Sequence, residues 1–145
     1  MFIRIFLSVL FVSFATGCTT IVHSDLVGEC KVLAFDQKLW VGREEGSVGQ
    51  NLMTSLQQEE IMWSRKSVAG IVEKGTKIRV ENVISGWNGS SGRYLRVQVK
   101  ILDGPFSGVV TDIPAKAPYH PGPSWVNFTL DPNELRLDPY LLKDC

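Results

Sequence analysis

The chain offers few of the groups that nucleotide-binding or nucleic-acid-binding proteins need. It has no glycine-rich phosphate loop, no run of basic residues and no internal repeat among its 145 residues. Its 15 basic and 15 acidic side chains give a net charge of zero. Nucleic acids and anionic surfaces attract proteins with a basic surplus, so the charge gives no reason to expect such a partner. We therefore predict that the protein binds no nucleic acid.

Histidine is equally scarce, which argues against several catalytic schemes. Only His23 and His120 are present, and neither has a partner at motif spacing. Without a placed histidine, Ser-His-Asp and Cys-His nucleophilic mechanisms have no support. No histidine or cysteine lies at metal-ligand spacing from another cysteine. The sequence thus predicts no catalytic residues, no metal site and no cofactor.

The carboxylates give no better sign of an enzyme. Glu44-Glu45 and Glu59-Glu60 are adjacent in sequence, so their side chains point in different directions and are expected in solvent. Asp103 and Asp112 could approach each other across a hairpin. Asp103 precedes Gly104-Pro105, however, and this position is typical of a turn residue.

No apolar run is long enough to span a bilayer as a helix, which takes about 20 residues. The longest N-terminal run covers residues 5–14, of which eight are apolar, and it follows the single charge of Arg4. A short apolar segment after a basic residue is typical of a secretory signal peptide. Residues 1–17 are therefore predicted to be a signal peptide that is removed from the mature protein.

The residues after this run indicate the type of signal. Ala15-Thr16-Gly17-Cys18 resembles the lipobox of bacterial lipoproteins, although Ala15 stands where that family usually has Leu. The resemblance implies cleavage before Cys18, and acylation of its thiol and of its new amino group. Thr19, in place of an Asp that would favour inner-membrane retention, implies the outer membrane, facing the periplasm. The alternative is an ordinary signal peptide cut near Gly17.

Lipidation of Cys18 leaves two cysteines, Cys30 and Cys145. An even number of cysteines in an oxidising compartment favours a disulfide. The bond would join the start of the folded domain to the last residue of the chain. The alternative is a pair of free thiols.

Alternating polar and apolar residues predict a single β-rich domain over residues 27–145, preceded by a lipidated tether over residues 18–26. The predicted strands cover residues 27–35, 39–41, 75–81, 95–101, 106–113 and 125–130. Turn residues predict loops at 42–50, 85–92 and 103–105, and a proline-rich surface loop at 114–123. The pattern of residues 51–66 leaves a short helix or an irregular segment open.

Several short strands joined by tight turns favour a small β-barrel or a compact sandwich. Residues 71–113 resemble an SH3-like barrel: the strand Gly75-Thr76-Lys77-Ile78-Arg79-Val80 and the turn Leu102-Asp103-Gly104-Pro105-Phe106-Ser107-Gly108 are similar to those of bacterial SH3 and KOW-type modules. This resemblance implies a mainly β, SH3-like barrel with long loops.

Aromatic residues beside loops are the remaining indication of function. Trp87 and Tyr94 flank one predicted loop, and Tyr119 and Trp125 flank the proline-rich loop. Such rings either cap the core or line a groove for an extended peptide or a glycan. These four residues are the candidate binding residues.

Together these features predict a cell-envelope lipoprotein that binds a periplasmic protein, peptide or glycan without catalysis. Its membrane contact would be through the lipid anchor, with the domain facing the periplasm. The alternative is a periplasmic inhibitor or immunity protein against a secreted hydrolase. An envelope hydrolase is a third hypothesis.

Overall fold

A computed structural model describes residues 19–42, 51–61, 66–88, 92–115 and 123–145, and these residues are mainly β. The nine strands are β1 (Thr20–Val22), β2 (Cys30–Leu33), β3 (Gln37–Gly42), β4 (Leu52–Ser55), β5 (Lys66–Val72), β6 (Lys77–Asn88), β7 (Gly92–Ile101), β8 (Val110–Ile113) and β9 (Leu142–Asp144). Within these residues there is no helix, and so none long and apolar enough to cross a bilayer.

The strands form one open sheet. Its order is β5-β3-β4-β8-β7-β6-β2-β9, with β1 pairing to β6. In the part of the chain described, the outermost strands β5 and β9 each pair with one neighbour, and no pairing joins them. The prediction of a closed barrel is therefore wrong, because closure requires the two edge strands to pair. The prediction of a mainly β fold is confirmed.

The long hairpin β6–β7 organises the sheet. Register along it shifts between Val80 and Asn82, which leaves Glu81 as a bulge. A bulge bends a strand. On the far side of β6 the first half pairs with β2, and the second half pairs with β1. The two halves of β6 therefore have different partner strands on this side.

The apolar alternation of β7 is confirmed by burial. Val97, Val99 and Ile101 are fully buried and lie in the core with Val83 and Ile113. Burying each such side chain stabilises the fold by about 1.5–3 kcal/mol. The sequence therefore fixes which face of this strand meets the core.

Other segments differ from the sequence-based predictions. Residues 52–55 form strand β4, whereas the sequence pattern allows a short helix or an irregular segment there; residues 62–65 lie outside the described residues. Residues 20–22, placed by sequence in the tether, form strand β1. Most of the predicted loop 85–92 is strand, because β6 continues to Asn88 and β7 begins at Gly92.

The predicted strand 125–130 is also absent. Only one isolated bridge, between Val126 and Leu137, forms there. Asn127 instead pairs its side chain with backbone: its Oδ1 accepts from the Arg136 N–H at 2.6 Å, and its Nδ2 donates to the Glu134 carbonyl at 2.9 Å. Side-chain bonds of this kind compete with a sheet ladder.

The predicted disulfide between Cys30 and Cys145 is present. It continues the antiparallel β2–β9 register one step beyond the pair Lys31 and Asp144.

Lys31 Nζ lies 2.6 Å from Asp144 Oδ1, and this contact raises the pKa of Lys31 and lowers that of Asp144. The ion pair contributes fully to the stability of the fold when the pH lies above the ordinary pKa of Asp and below the ordinary pKa of Lys. Its contribution fades as pH falls through the lowered pKa of Asp144, or rises through the raised pKa of Lys31. Asp144 is fully exposed, so solvent screens the pair and this contribution is small.

Candidate functional site

A cleft of about 490 Å³ lies beside the start of β3. Seven of the twelve residues that line it are apolar or aromatic. The lining comprises Ala34, Phe35, Asp36, Gln37, Ser55, Leu56, Gln57, Lys74, Pro123, Trp125, Tyr140 and Leu141. Its volume lies in the range of small-molecule and peptide pockets.

One wall of the cleft carries Phe35, in the bend between β2 and β3. The bend is held from two sides: the Ala34 N–H donates to the Leu141 carbonyl at 3.0 Å, and Asp36 Oδ1 accepts from the Lys74 N–H at 2.7 Å. With its backbone fixed, the Phe35 side chain remains 42% exposed. The ring is thus both positioned and accessible.

Tyr140 also lines the cleft, beside Phe35, and is 66% exposed. Asp138 sets its position, because Asp138 Oδ1 accepts from the Tyr140 N–H at 2.8 Å and the Asp138 carbonyl accepts from the Leu142 N–H at 2.9 Å. The Tyr140 and Phe35 ring centroids lie 5.1 Å apart with their planes tilted by 42°. Two accessible rings therefore stand side by side at the rim.

Trp125 also lines the cleft, and it is only 2% exposed. Its backbone N–H donates to the Pro114 carbonyl at 2.7 Å, and its backbone carbonyl accepts from the Asp138 N–H at 2.8 Å. Asp138 is therefore hydrogen-bonded to the backbone of both Trp125 and Tyr140. Trp125 thus adds a buried aromatic residue to the lining that holds the two exposed rings.

Gln37 is the polar group of special interest. It is 4% exposed, and it lies on β3 between two neighbouring strands, opposite Ser55 of β4 and Val72 of β5. Its Nε2 donates to the Phe35 carbonyl at 3.2 Å, whereas its Oε1 has no hydrogen-bond partner among the described residues. A buried acceptor left unpaired costs about 1–3 kcal/mol. Gln37 thus lines the cleft and carries a buried acceptor that no described residue satisfies.

The structure does not bring the sequence-predicted aromatic residues together. Trp87 pairs with Arg93 and Tyr94 pairs with Gly86, so alternation places the two rings on opposite faces of the hairpin. A Cβ at Gly86 would collide with the Tyr94 ring, which shows that this ring lies across the glycine backbone. Trp87 is 62% exposed.

Of the other predicted site residues, only Trp125 lines the cleft. It is buried there, whereas the prediction was an exposed ring beside a groove. Cys18 and Tyr119 lie outside the described residues, as does His120. Sequence reasoning missed Phe35, Gln37 and Tyr140. The turn signal Asp138-Pro139 before Tyr140 was available, but nothing local distinguishes Gln37.

Two other carboxylates that the sequence singled out, Asp103 and Asp112, have partners within the fold. Asp103 Oδ1 accepts from the Lys77 N–H at 2.9 Å, as expected of a turn residue. Asp112 is buried on β8, and its Oδ2 lies 3.0 Å from Arg96 Nη1. The described chain holds no cluster of three or more His, Cys, Asp or Glu side chains that would bind a metal ion.

Lys66 lies near the same buried pair. Burial lowers its pKa, partly opposed by the Asp112 carboxylate and assisted by the Arg96 guanidinium. Neighbouring Gln98 is also buried and accepts from Asn82 Nδ2 at 3.3 Å. Polar groups therefore pair across β6, β7 and β8 on the sheet face opposite Val97 and Val99.

Compared with models of known protein families, with curated proteins and with solved structures, the chain matches none of them.

Proposed function

We propose that this chain is a non-enzymatic, lipid-anchored module of the bacterial cell envelope, and that its cleft binds an extended peptide segment of another envelope component. The observation that carries the proposal is the pair of exposed rings, Phe35 and Tyr140, 5.1 Å apart beside the buried Trp125. Aromatic anchors in a preformed apolar cleft are the usual source of binding energy in recognition sites. An SH3-like relationship, which remains part of this proposal, agrees with peptide binding between aromatic side chains.

The lining favours a peptide over a glycan. A sugar carries hydroxyl groups around its ring, and each one that is buried needs a polar partner. Most of the lining is apolar, and Asp36 already accepts from a backbone N–H. An extended peptide offers what this cleft lacks: one backbone N–H for Gln37 Oε1 and an apolar side chain for the rings.

The first prediction concerns Tyr140. Tyr140→Ala should weaken peptide binding at least tenfold, because the variant removes one of the two accessible rings. Phe128→Ala is the matched control, since Phe128 is 65% exposed against 66% for Tyr140 but does not line the cleft. The measurement is the affinity of the mature domain for peptides selected from a random library. Equal losses in the two variants, or binding to soluble peptidoglycan glycan strands in place of peptides, would contradict the proposal.

The second prediction concerns Gln37. Gln37→Met keeps a similar volume and removes the unpaired acceptor, but it also removes the 3.2 Å hydrogen bond from Nε2 to the Phe35 carbonyl. The two effects oppose each other, so the free energy of unfolding should change by less than about 1 kcal/mol. Peptide affinity should nevertheless fall roughly tenfold, the effect of about 1.4 kcal/mol from one lost hydrogen bond. Thermal melting and peptide titration of the same variant separate the two effects. A less stable variant that binds peptide normally would show that Gln37 is only structural.

The third prediction concerns the anchor. The lipobox-like residues 15–18 and the apolar run before them support acylation of Cys18. Several acyl chains at about 0.8 kcal/mol per buried methylene give stable anchoring. Labelled palmitate should therefore enter the protein expressed in a bacterium, and Cys18→Ser should abolish labelling. Labelling of the serine variant at the wild-type level would refute the lipid anchor.

A further inference from the structure

The structure places the folded sheet very close to Cys18. Strand β1 begins at Thr20, two residues later, and Thr20 pairs with Ser85 near the end of β6. Two residues of extended chain span at most about 7 Å. A lipid on Cys18 would therefore hold this end of the sheet, and no other, against the membrane surface.

Large apolar side chains are exposed at the same end. Trp87, two residues beyond Ser85 on β6, is 62% exposed. Ile21 on β1 is 70% exposed, but it pairs with Ile84, so alternation places it on the other face of the sheet. The cross-strand partner of Trp87 is Arg93, which is also exposed. Tryptophan favours the interface between lipid and water, and arginine there pairs with anionic headgroups.

We infer that Trp87 and Arg93, which share one face of the β6–β7 hairpin, form a membrane-contact surface that rests on the headgroup layer of the bilayer, with the Trp87 ring at the interface. The inference rests on the proposed lipid anchor at Cys18. A bilayer suits this surface better than a protein partner, because two isolated side chains bury far less area than a stable protein interface needs. A weak contact is sufficient here, since a short tether makes the second contact intramolecular.

The same orientation presents the cleft away from the bilayer. The cleft lies near the start of β6, because its lining residue Lys74 comes three residues before the strand begins at Lys77. In the same segment, the Thr76 carbonyl accepts from the Leu33 N–H. Ten residues of β6 separate Lys77 from Trp87, a length of at most about 33 Å. The membrane-contact surface and the cleft therefore lie at opposite ends of β6.

The experiment uses the lipidated protein, purified from membranes and reconstituted in vesicles of phosphatidylcholine and phosphatidylglycerol with brominated acyl chains. Bromine quenches tryptophan fluorescence only at short range. Wild type should lose a component of its fluorescence that is missing from the Trp87→Phe variant. The matched control is the double variant Trp87→Phe and Tyr140→Trp, which carries the ring at the cleft and should show no added quenching.

The outcomes separate this inference from the proposed function. Protein that does not float with the vesicles has no anchor, and both then fail. Protein that floats while Trp87 is not quenched, or is quenched no more than Trp at position 140, overturns the membrane-contact surface alone. Strong quenching at 87 combined with a complex between Trp87 and a second envelope protein, detected after cross-linking, would assign the surface to a protein and also overturn it.

Discussion

Replacing Cys145 with serine should lower the free energy of unfolding by up to about 4–5 kcal/mol. The bond joins residues 115 positions apart, and a loop of that length confines the unfolded chain strongly. A domain of this size is stable by only about 5–15 kcal/mol, so the loss is a large fraction of the total. The melting temperature of the mature domain should fall by roughly 10–20 °C. Thermal melting and a non-reducing gel, in which the variant lacks the mobility shift, check the prediction.

The control for this variant is Asp144→Asn. It removes the ion pair with Lys31 on the neighbouring pair of residues but leaves the disulfide in place. Asp144 is fully exposed, so the melting temperature should change little. If Cys145→Ser melted within about 2 °C of wild type, or if unfolded, unreduced wild type titrated two free thiols, the disulfide would have no stabilising role.

Arg96→Met should destabilise the fold by about 3 kcal/mol. The variant removes a guanidinium 3.0 Å from the Asp112 carboxylate, which is only 2% exposed. Breaking a buried ion pair by removing one partner typically costs about 3–5 kcal/mol, because the other charge stays buried. The Arg96 side chain is 17% exposed and Lys66 also acts on Asp112, so the lower end of that range is expected. Chemical denaturation of the single variant measures the loss.

A double-mutant cycle distinguishes the ion pair from simple packing. Removing both charges, with Arg96→Met and Asp112→Val together, should recover most of the lost stability, since no uncompensated charge remains. Arg79→Met is the surface control: Arg79 lies 3.5 Å from Glu81 on exposed strand positions, and its loss should cost less than about 1 kcal/mol. Additive losses in the cycle would mean that Arg96 and Asp112 are not coupled.

The fold could be predicted where local pattern and tertiary structure agree. Strict alternation over residues 95–101 predicted the core face of β7, and cysteine counting predicted the bond between Cys30 and Cys145. The segment 125–130 has a similar alternation but forms no strand, because it has no partner strand and Asn127 bonds to the backbone instead. Alternation reports which side chains are apolar, and it does not report whether a neighbour is available to pair.

The cleft was harder to predict because its residues come from distant parts of the chain. Phe35 and Tyr140 meet only because β9 returns to pair with β2, which begins at Cys30. Nothing in the sequence near Gln37 marks it as a buried amide with an unpaired oxygen. Trp87 and Tyr94, close in sequence, were expected to lie together, yet the β6–β7 register separates them by one residue and so by a face of the sheet.

Peptide capture by the cleft in living cells is the most direct test of the proposed function. A photoreactive phenylalanine analogue can replace Tyr140 in the full-length protein, with the same analogue at Phe128 as the matched exposed control. After irradiation, we expect a covalent adduct with a peptide segment of an envelope protein from position 140 and none from position 128. Gln37→Met should reduce the yield of the adduct at position 140. An equal yield from both positions, or an adduct at 140 that contains glycan and no peptide, would contradict peptide binding in this cleft.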